Sequence, residues 1–538
     1  MMLLRKSILV SSLLLLGFIQ QTNAQFENAQ KDIIDVLGYQ FYIHINDTDN
    51  VILAKAVDKI LVKKTTDSIF LNLTNVNDRG VGMSVSEVSN KQGVSIKHKH
   101  YNDKLIIYNQ KSWKANDTLQ LTITYSGVPE DGLYIKRNKY GKRTFFGDNW
   151  PNRAHYWLPV IDHPSDKATV SFTILAPQHY TVIASGKLIS KKQINQSENQ
   201  FYYQSKIELP TKVMVFAAAD FRIKEYAVVN KIPVSSWIFT EAPSKGIDDY
   251  KPAVEVLKFY DSIIGAYSYE KLANVQSKTR FGGMENAGNI FYMESSVDGK
   301  SGVEPLIAHE VAHQWFGDSV TEENWSDIWL SEGFATYLTD LYMEYKYGKL
   351  KLQERLKTER DKVILYSKNA NVQAVVYDEK HNLMKLLNRN SYEKGAWILH
   401  MLRVKIGDKA FFKLLQTYYT TFKNKNATTS DFIQLSESIS GKELQDFFKQ
   451  WLYRKNLPKI KVDWTLNNGK ISIDVQQFES IYKLDLRIQI KSNSKTEEHL
   501  LHLNLEQEHF EFKTKIRTSD IKLFLDPNVE ILFENRCK

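Results

Sequence analysis

The chain has 538 residues, 43% hydrophobic and 25% charged, with a formal net charge of +9. That length asks for more than one core, about three domains, and the ordinary apolar content excludes a disordered or collagen-like chain. Its basic residues are spread out, for example through Lys349 to Lys362 and Lys405 to Lys425, and no nucleic-acid-binding motif accompanies them. They read as solvated surface, and no nucleic acid is expected as a partner.

In chain order, Arg5-Lys6, an apolar run from Ile8 to Ile19 and Thr22-Asn23-Ala24 come first. These are the three regions of a secretory signal peptide, so residues 1–24 are expected to be removed after Ala24. The mature chain then begins at Gln25 and carries +7, because the segment holds two bases and no acids. The run is short for a bilayer span, and no other candidate follows. An exported protein, periplasmic or secreted, without a membrane span is the expectation; a retained anchor is the alternative. The single cysteine, Cys537, excludes an internal disulfide and a thiolate metal site.

Residues 25–222 alternate as strands do: Leu119, Leu121, Ile123 and Tyr125 form one apolar face, and Val170, Phe172 and Ile174 another. An N-terminal antiparallel β-sheet domain is expected. Helical periodicity dominates from 223 to 457, with Leu444, Phe447, Phe448, Trp451 and Leu452 as one core stripe, and Pro458 marks a boundary. In the tail, 458–538, Trp464 and Leu466 lead into Asn467-Asn468-Gly469 and then Ile471, Ile473 and Val475, a hairpin signal; Leu484, Leu486, Ile488 and Ile490 alternate too. A small C-terminal β-sandwich fits this stretch. The fold class is therefore multidomain α+β.

Chemistry concentrates at His309-Glu310-Val311-Ala312-His313. Two histidines four apart on a helix reach one metal from the same face, and the intervening glutamate stands where a general base is needed. The surrounding Leu306, Ile307, Ala308, Trp315 and Phe316 make the segment apolar nearly all round, hence buried. Burying His309, Glu310 and His313 without partners is strongly unfavourable, and a metal would satisfy them together. The alternative is a surface helix with solvated histidines. Glu332, after eighteen intervening residues, sits near the start of a second apolar segment from Ile328 to Tyr347. It is either the third ligand or a capping glutamate. Two His, one Glu and an open position make a catalytic rather than a structural zinc sphere. A third-histidine arrangement is excluded by Phe316 and Ser319.

Upstream, Phe281-Gly282-Gly283-Met284-Glu285-Asn286-Ala287-Gly288 resembles the GxMEN exopeptidase motif of the M1 family of gluzincin aminopeptidases. His313-Gln314-Trp315-Phe316-Gly317, Trp329-Leu330-Ser331-Glu332-Gly333-Phe334 and Tyr392-Glu393-Lys394-Gly395 are similar to that family's segments, in the same order, over roughly residues 145 to 455. The resemblance implies a thermolysin-like catalytic domain at 223–457 with one Zn²⁺ per chain on His309, His313 and Glu332. It implies Glu310 as general base and Tyr392 as donor to the oxyanion, with zinc polarising the carbonyl and acidifying its water toward ~7. It also implies substrate binding by Gly282, Gly283, Met284, Glu285 and Asn286, with Glu285 anchoring the α-ammonium of peptides that have a free N-terminus. Many members carry a further helical domain; its lack here implies a three-domain member with a more open route to the site.

There are departures. The family's second N-terminal-domain contact to the amine, a Gln or Glu, has no counterpart in Phe146-Gly147-Asp148-Asn149, where Asp148 or Asn149 would have to substitute. Asp327 and Asp318 are candidates for orienting the imidazoles. Two rival readings stay open: an endopeptidase of the same chemistry, and a β-rich binding protein with an inactive core.

Overall fold

The structure is a computed structural model that describes residues 30–379, 381–493, 495–516 and 521–536. The expected signal peptide and Cys537 lie outside the described residues. The chain divides into two compact units. Unit one runs to Lys251 and includes Ser268–Val303; unit two comprises Pro252–Tyr267 and everything from Glu304 onward. This division differs from the boundaries that composition suggests at 222 and 457. The β-rich N-terminal part, the helical catalytic part and the C-terminal strands are all as expected.

Unit one is built on a seven-stranded sheet in the order Lys187–Gln193, Glu198–Pro210, Lys167–Pro177, Ile34–His44, Ile52–Val62, Thr118–Val128, Gly82–Asn90. Neighbours are antiparallel except the central pair Ile34–His44 and Lys167–Pro177, which run parallel. Leu121, Ile123 and Tyr125 on one strand and Val170, Phe172 and Ile174 on another are buried, which fits period-2 patterning. The unit also holds a five-stranded sheet ordered Phe221–Val229, Ile232–Phe239, Leu272–Ser277, Asn289–Met293, Gly283–Met284. These strands lie inside the stretch expected to be helical. Leu272–Ser277 is buried along its whole length, polar residues included, so no alternation advertises it.

Eight α-helices belong to unit two. They are α1 (Ala253–Ile263), α2 (Glu304–His313), α3 (Trp329–Tyr347), α4 (Lys349–Ser367), α5 (Gly395–Ile406), α6 (Asp408–Phe422), α7 (Thr429–Ser440) and α8 (Gln445–Leu452). Phe316, Phe334, Tyr418 and Phe432 form an aromatic core, with ring centroids 4.8 Å apart for Phe316 and Phe334 and 5.2 Å for Phe334 and Phe432. The α8 stripe of Phe447, Phe448, Trp451 and Leu452 is buried as its spacing predicts. The C-terminal strands make two small sheets. In one, Lys459–Asn467 pairs with Lys470–Phe478 through a two-residue turn at Asn468 and Gly469, whose φ values are 50° and 73°. That is the turn an Asn-Gly pair favours. No helix among the described residues is long and apolar enough to cross a membrane.

Candidate active site

Helix α2 is buried on most of its surface, with Ile307, Ala308, Val311 and Ala312 inaccessible and Glu310 and His313 buried beside them, while His309 keeps some exposure. His309 and His313 project together, their Nε2 atoms 3.1 Å apart. The chain then turns back, and the first turn of α3 brings Glu332 to them. Its Oε2 lies 3.5 Å from His309 Nε2 and 3.3 Å from His313 Nε2. That oxygen is buried and takes no conventional hydrogen bond from the described residues. Burial alone would raise the Glu332 carboxyl, but with no metal bound, positive charge on the imidazoles of His313 and His309 outweighs it and holds it well below the usual carboxylate range. Two imidazoles and a buried carboxylate converging on one point could hold a metal ion, and their chemistry matches the donor set of a catalytic zinc site. Glu310 is 4% exposed on the same helix turn.

The orientation of His313 is fixed from behind. Its Nδ1 lies 3.2 Å from the Phe316 carbonyl oxygen, which can only accept, so Nδ1 carries the proton and Nε2 presents its lone pair forward. Ser331 Oγ is 3.1 Å from the same nitrogen. Gly317 makes this possible: its φ is +130°, and a Cβ there would fall 2.5 Å from Ser331 Oγ and 2.9 Å from His313 Nδ1. Sequence reasoning missed both residues, although each sits inside a motif it had singled out. Asp327 instead accepts from the backbone N–H and hydroxyl of Thr429 at the start of α7, and Asp318 accepts from Gln314 Nε2.

Tyr392 belongs to a π-helical turn, Asn390–Lys394, that runs into α5. Its ring lies nearly parallel to that of His309, with centroids 5.9 Å apart. The turn reaches this position because α3 and α5 cross where both lack a side chain. A Cβ on Gly333 would come 2.9 Å from Gly395 Cα, and one on Gly395 equally close to Gly333 Cα. His309, Glu310, His313, Glu332 and Tyr392, five residues scattered over 84 positions of sequence, are thus gathered in unit two.

In unit one, Gly283–Met284 forms the edge strand of the five-stranded sheet, antiparallel to Asn289–Met293, and the Gly282 carbonyl accepts from Met293 N at 3.0 Å. Gly288, at φ +70°, closes the turn between them. Met284, Glu285 and Asn286 are buried. Asp148 and Asn149 are both committed to protein partners. Asp148 receives Arg153 Nη2 at 2.5 Å and Thr279 Oγ1 at 3.0 Å. Asn149 donates to the Thr211 and Met214 carbonyls and accepts from Trp157 Nε1. Neither side chain is spare for a substrate amine.

The Peptidase M1 N-terminal domain matches residues 37–213, and the Peptidase family M1 domain matches residues 249–451. The chain belongs to peptidase family M1. Among its M1 relatives, "Probable aminopeptidase 2" of Sulfurisphaera tokodaii is 27% identical over 81% of this chain and 58% of its own length. "Probable aminopeptidase 1" of the same organism is 26% identical over 92% of this chain and 62% of its own. Glutamyl aminopeptidase of Rattus norvegicus is 26% identical over 63% of this chain and 37% of its own. The chain therefore spans less than two thirds of the length of these relatives. A mutant M1 zinc metallopeptidase from Deinococcus radiodurans shares the fold, with a TM-score of 0.68 at 22% identity, covering 79% of this chain and 96% of the other.

Proposed function

We propose that this protein is an exported, zinc-dependent aminopeptidase that removes residues from the free N-terminus of peptides. The observation that carries the reading is the convergence of His309 Nε2, His313 Nε2 and Glu332 Oε2, with pairwise separations of 3.1, 3.3 and 3.5 Å, beside a buried Glu310 and the Tyr392 ring. These three side chains would hold one Zn²⁺, which supplies a Lewis acid for the scissile carbonyl and lowers the pKa of the attacking water.

Glu310 takes the proton of that water and returns it to the leaving amine, as its place between the two histidines on α2 allows. The Tyr392 hydroxyl donates to the oxygen on which negative charge develops. Glu285 pairs with the substrate's α-ammonium, and the sheet edge formed by Gly282, Gly283 and Met284 offers main-chain hydrogen bonds to an extended peptide. An amine anchor beside the cut disfavours internal cleavage, which argues against the endopeptidase reading. Export rests on residues 1–24 of the sequence.

The test is hydrolysis of aminoacyl-arylamides and of peptide pairs with free and blocked N-termini, with and without chelator. Activity should require the free amine, vanish on chelation and return with Zn²⁺. Glu310→Gln should lose at least about a hundredfold in kcat. Equal cleavage of blocked peptides would replace this reading with the endopeptidase one, and a fully active Glu310→Gln enzyme would remove the general base.

A further inference from the structure

Behind the turn that carries Tyr392, unit two buries three carboxylates. Asp340 on α3, Glu359 on α4 and Glu393 in the π-turn are each no more than 4% exposed. Helix α4 meets them with one face, Arg355, Glu359 and Lys362, spaced at i, i+4 and i+7. Arg355 Nε is 2.5 Å from Asp340 Oδ1, and Arg355 Nη2 is 3.6 Å from Glu359 Oε1. Burial first, and then the charge of Asp340, push the Glu359 carboxyl well above its ordinary value, and Arg355 sits closer to Asp340 than to Glu359.

Glu393 is held separately. Arg389 Nη1 lies 2.6 Å and Lys362 Nζ 3.4 Å from its Oε1. Both cations reach in from the surface, their side chains 53% and 46% exposed. Truncating one partner of such a buried pair is costly, whereas an apolar residue of similar size would have filled the space more cheaply. Two cations on one carboxylate oxygen therefore point to a geometric task, and the sequence positions say which. Arg389 stands immediately before the π-turn, Glu393 lies within it, and Tyr392 falls between the two. A π-turn holds one residue more than an α-turn, so relaxing it to α geometry would rotate the flanking residues by roughly 100° about the axis. Tyr392 would no longer lie against His309.

We propose that Glu393, gripped by Arg389 and Lys362, is the positioning residue that keeps the π-turn wound and so aims the Tyr392 hydroxyl at the reacting carbonyl. This rests on the aminopeptidase reading for what Tyr392 does, but not for what holds it.

The experiment has two arms on the full chain loaded with zinc. In the first, wild type, Glu393→Gln, Tyr392→Phe and the double variant form a kinetic cycle, with Arg389→Gln as a second way of opening the clamp. Glu393→Gln and Arg389→Gln should each lower kcat by about 10- to 100-fold, as expected for a misplaced catalytic group, with KM and zinc content unchanged. In the Tyr392→Phe background, Glu393→Gln should cost nothing more, because a residue acting through Tyr392 has nothing left to position. In the second arm, hydrogen exchange of the 388–394 segment is read irrespective of activity. It should quicken at least about tenfold in Glu393→Gln while α2 stays protected. Losses that multiply across the cycle, lost zinc, unchanged kcat or unchanged exchange would each overturn the proposal. A wild type inert toward free-amine peptides whose 388–394 exchange still responds to Glu393→Gln would sink the aminopeptidase reading and leave the clamp standing.

Discussion

At the scale of single residues, the site depends on atoms that sequence motifs name only indirectly. Gly317 is such a residue, since the space a Cβ would need is already taken by Ser331 Oγ and His313 Nδ1. Gly317→Ala should displace the imidazole that Ser331 and the Phe316 carbonyl orient, and weaken zinc affinity by about 10- to 100-fold, the usual cost of losing such support. Competition with a chelator of known affinity reads this directly, and an unshifted curve would show that the ring is fixed by other means. Asp58 poses a different problem. It is fully buried in the seven-stranded sheet, both oxygens lack a hydrogen-bond partner among the described residues, and burial holds its carboxyl well above the ordinary value. Below about pH 4 the folded and unfolded states both keep the proton. Above that the unfolded chain releases it and the folded chain does not, so this residue's contribution to stability falls as pH rises, by up to about 1.4 kcal/mol per pH unit. Asp58→Asn removes the term. The stability of the variant relative to wild type should therefore climb as pH rises above the ordinary carboxylate range in urea unfolding, and parallel profiles would contradict the assignment.

At the scale of elements, two close approaches build the site: α2 with the first turn of α3, and α3 with α5. The second rests on Gly333 and Gly395, whose Cα atoms face each other with no room for a methyl group. Gly333→Ala should force the helices apart, costing about 1–3 kcal/mol of stability and lowering kcat by moving Tyr392 away from His309. Denaturant midpoints together with kinetics check this, and a variant that keeps both would mean the crossing adjusts freely. The first approach explains what could be read in advance. A helix fixes the spacing of His309 and His313, so their convergence follows from the sequence alone. Strand alternation and the Asn468-Gly469 turn are likewise local, and the N-terminal and C-terminal sheets were legible from them. Glu332 was legible only through the family resemblance, because the 15-residue connection from His313 to Trp329 does not by itself specify where it returns. The π-turn was also hidden, since one extra residue leaves no periodic trace. The basic run of α4 looked like solvated surface, yet Arg355 and Arg360 turn inward to Asp340 and Asp526. Charge patterning cannot show which cations have a buried acid waiting.

At the scale of the whole molecule, the three proposed zinc ligands and the eight α-helices named above lie in unit two, while unit one consists largely of β-strands. Zinc binding is therefore coupled to the folding of the helical unit. A ligand that binds the folded state alone stabilises it by RT ln(1 + [L]/Kd), about 4.1 kcal/mol at a thousandfold excess over Kd. Helical circular dichroism at 222 nm reports unit two almost exclusively, so its melting temperature should rise with the logarithm of free Zn²⁺ and fall on chelation. Glu332→Gln should flatten that dependence at low zinc, because a neutral amide replaces the one anionic ligand of the set. Glu310→Gln, which leaves the three ligands in place, should keep it while losing catalysis. That contrast separates holding the ion from using it, and a melting temperature indifferent to zinc in the wild type would deny that His309, His313 and Glu332 form a metal centre.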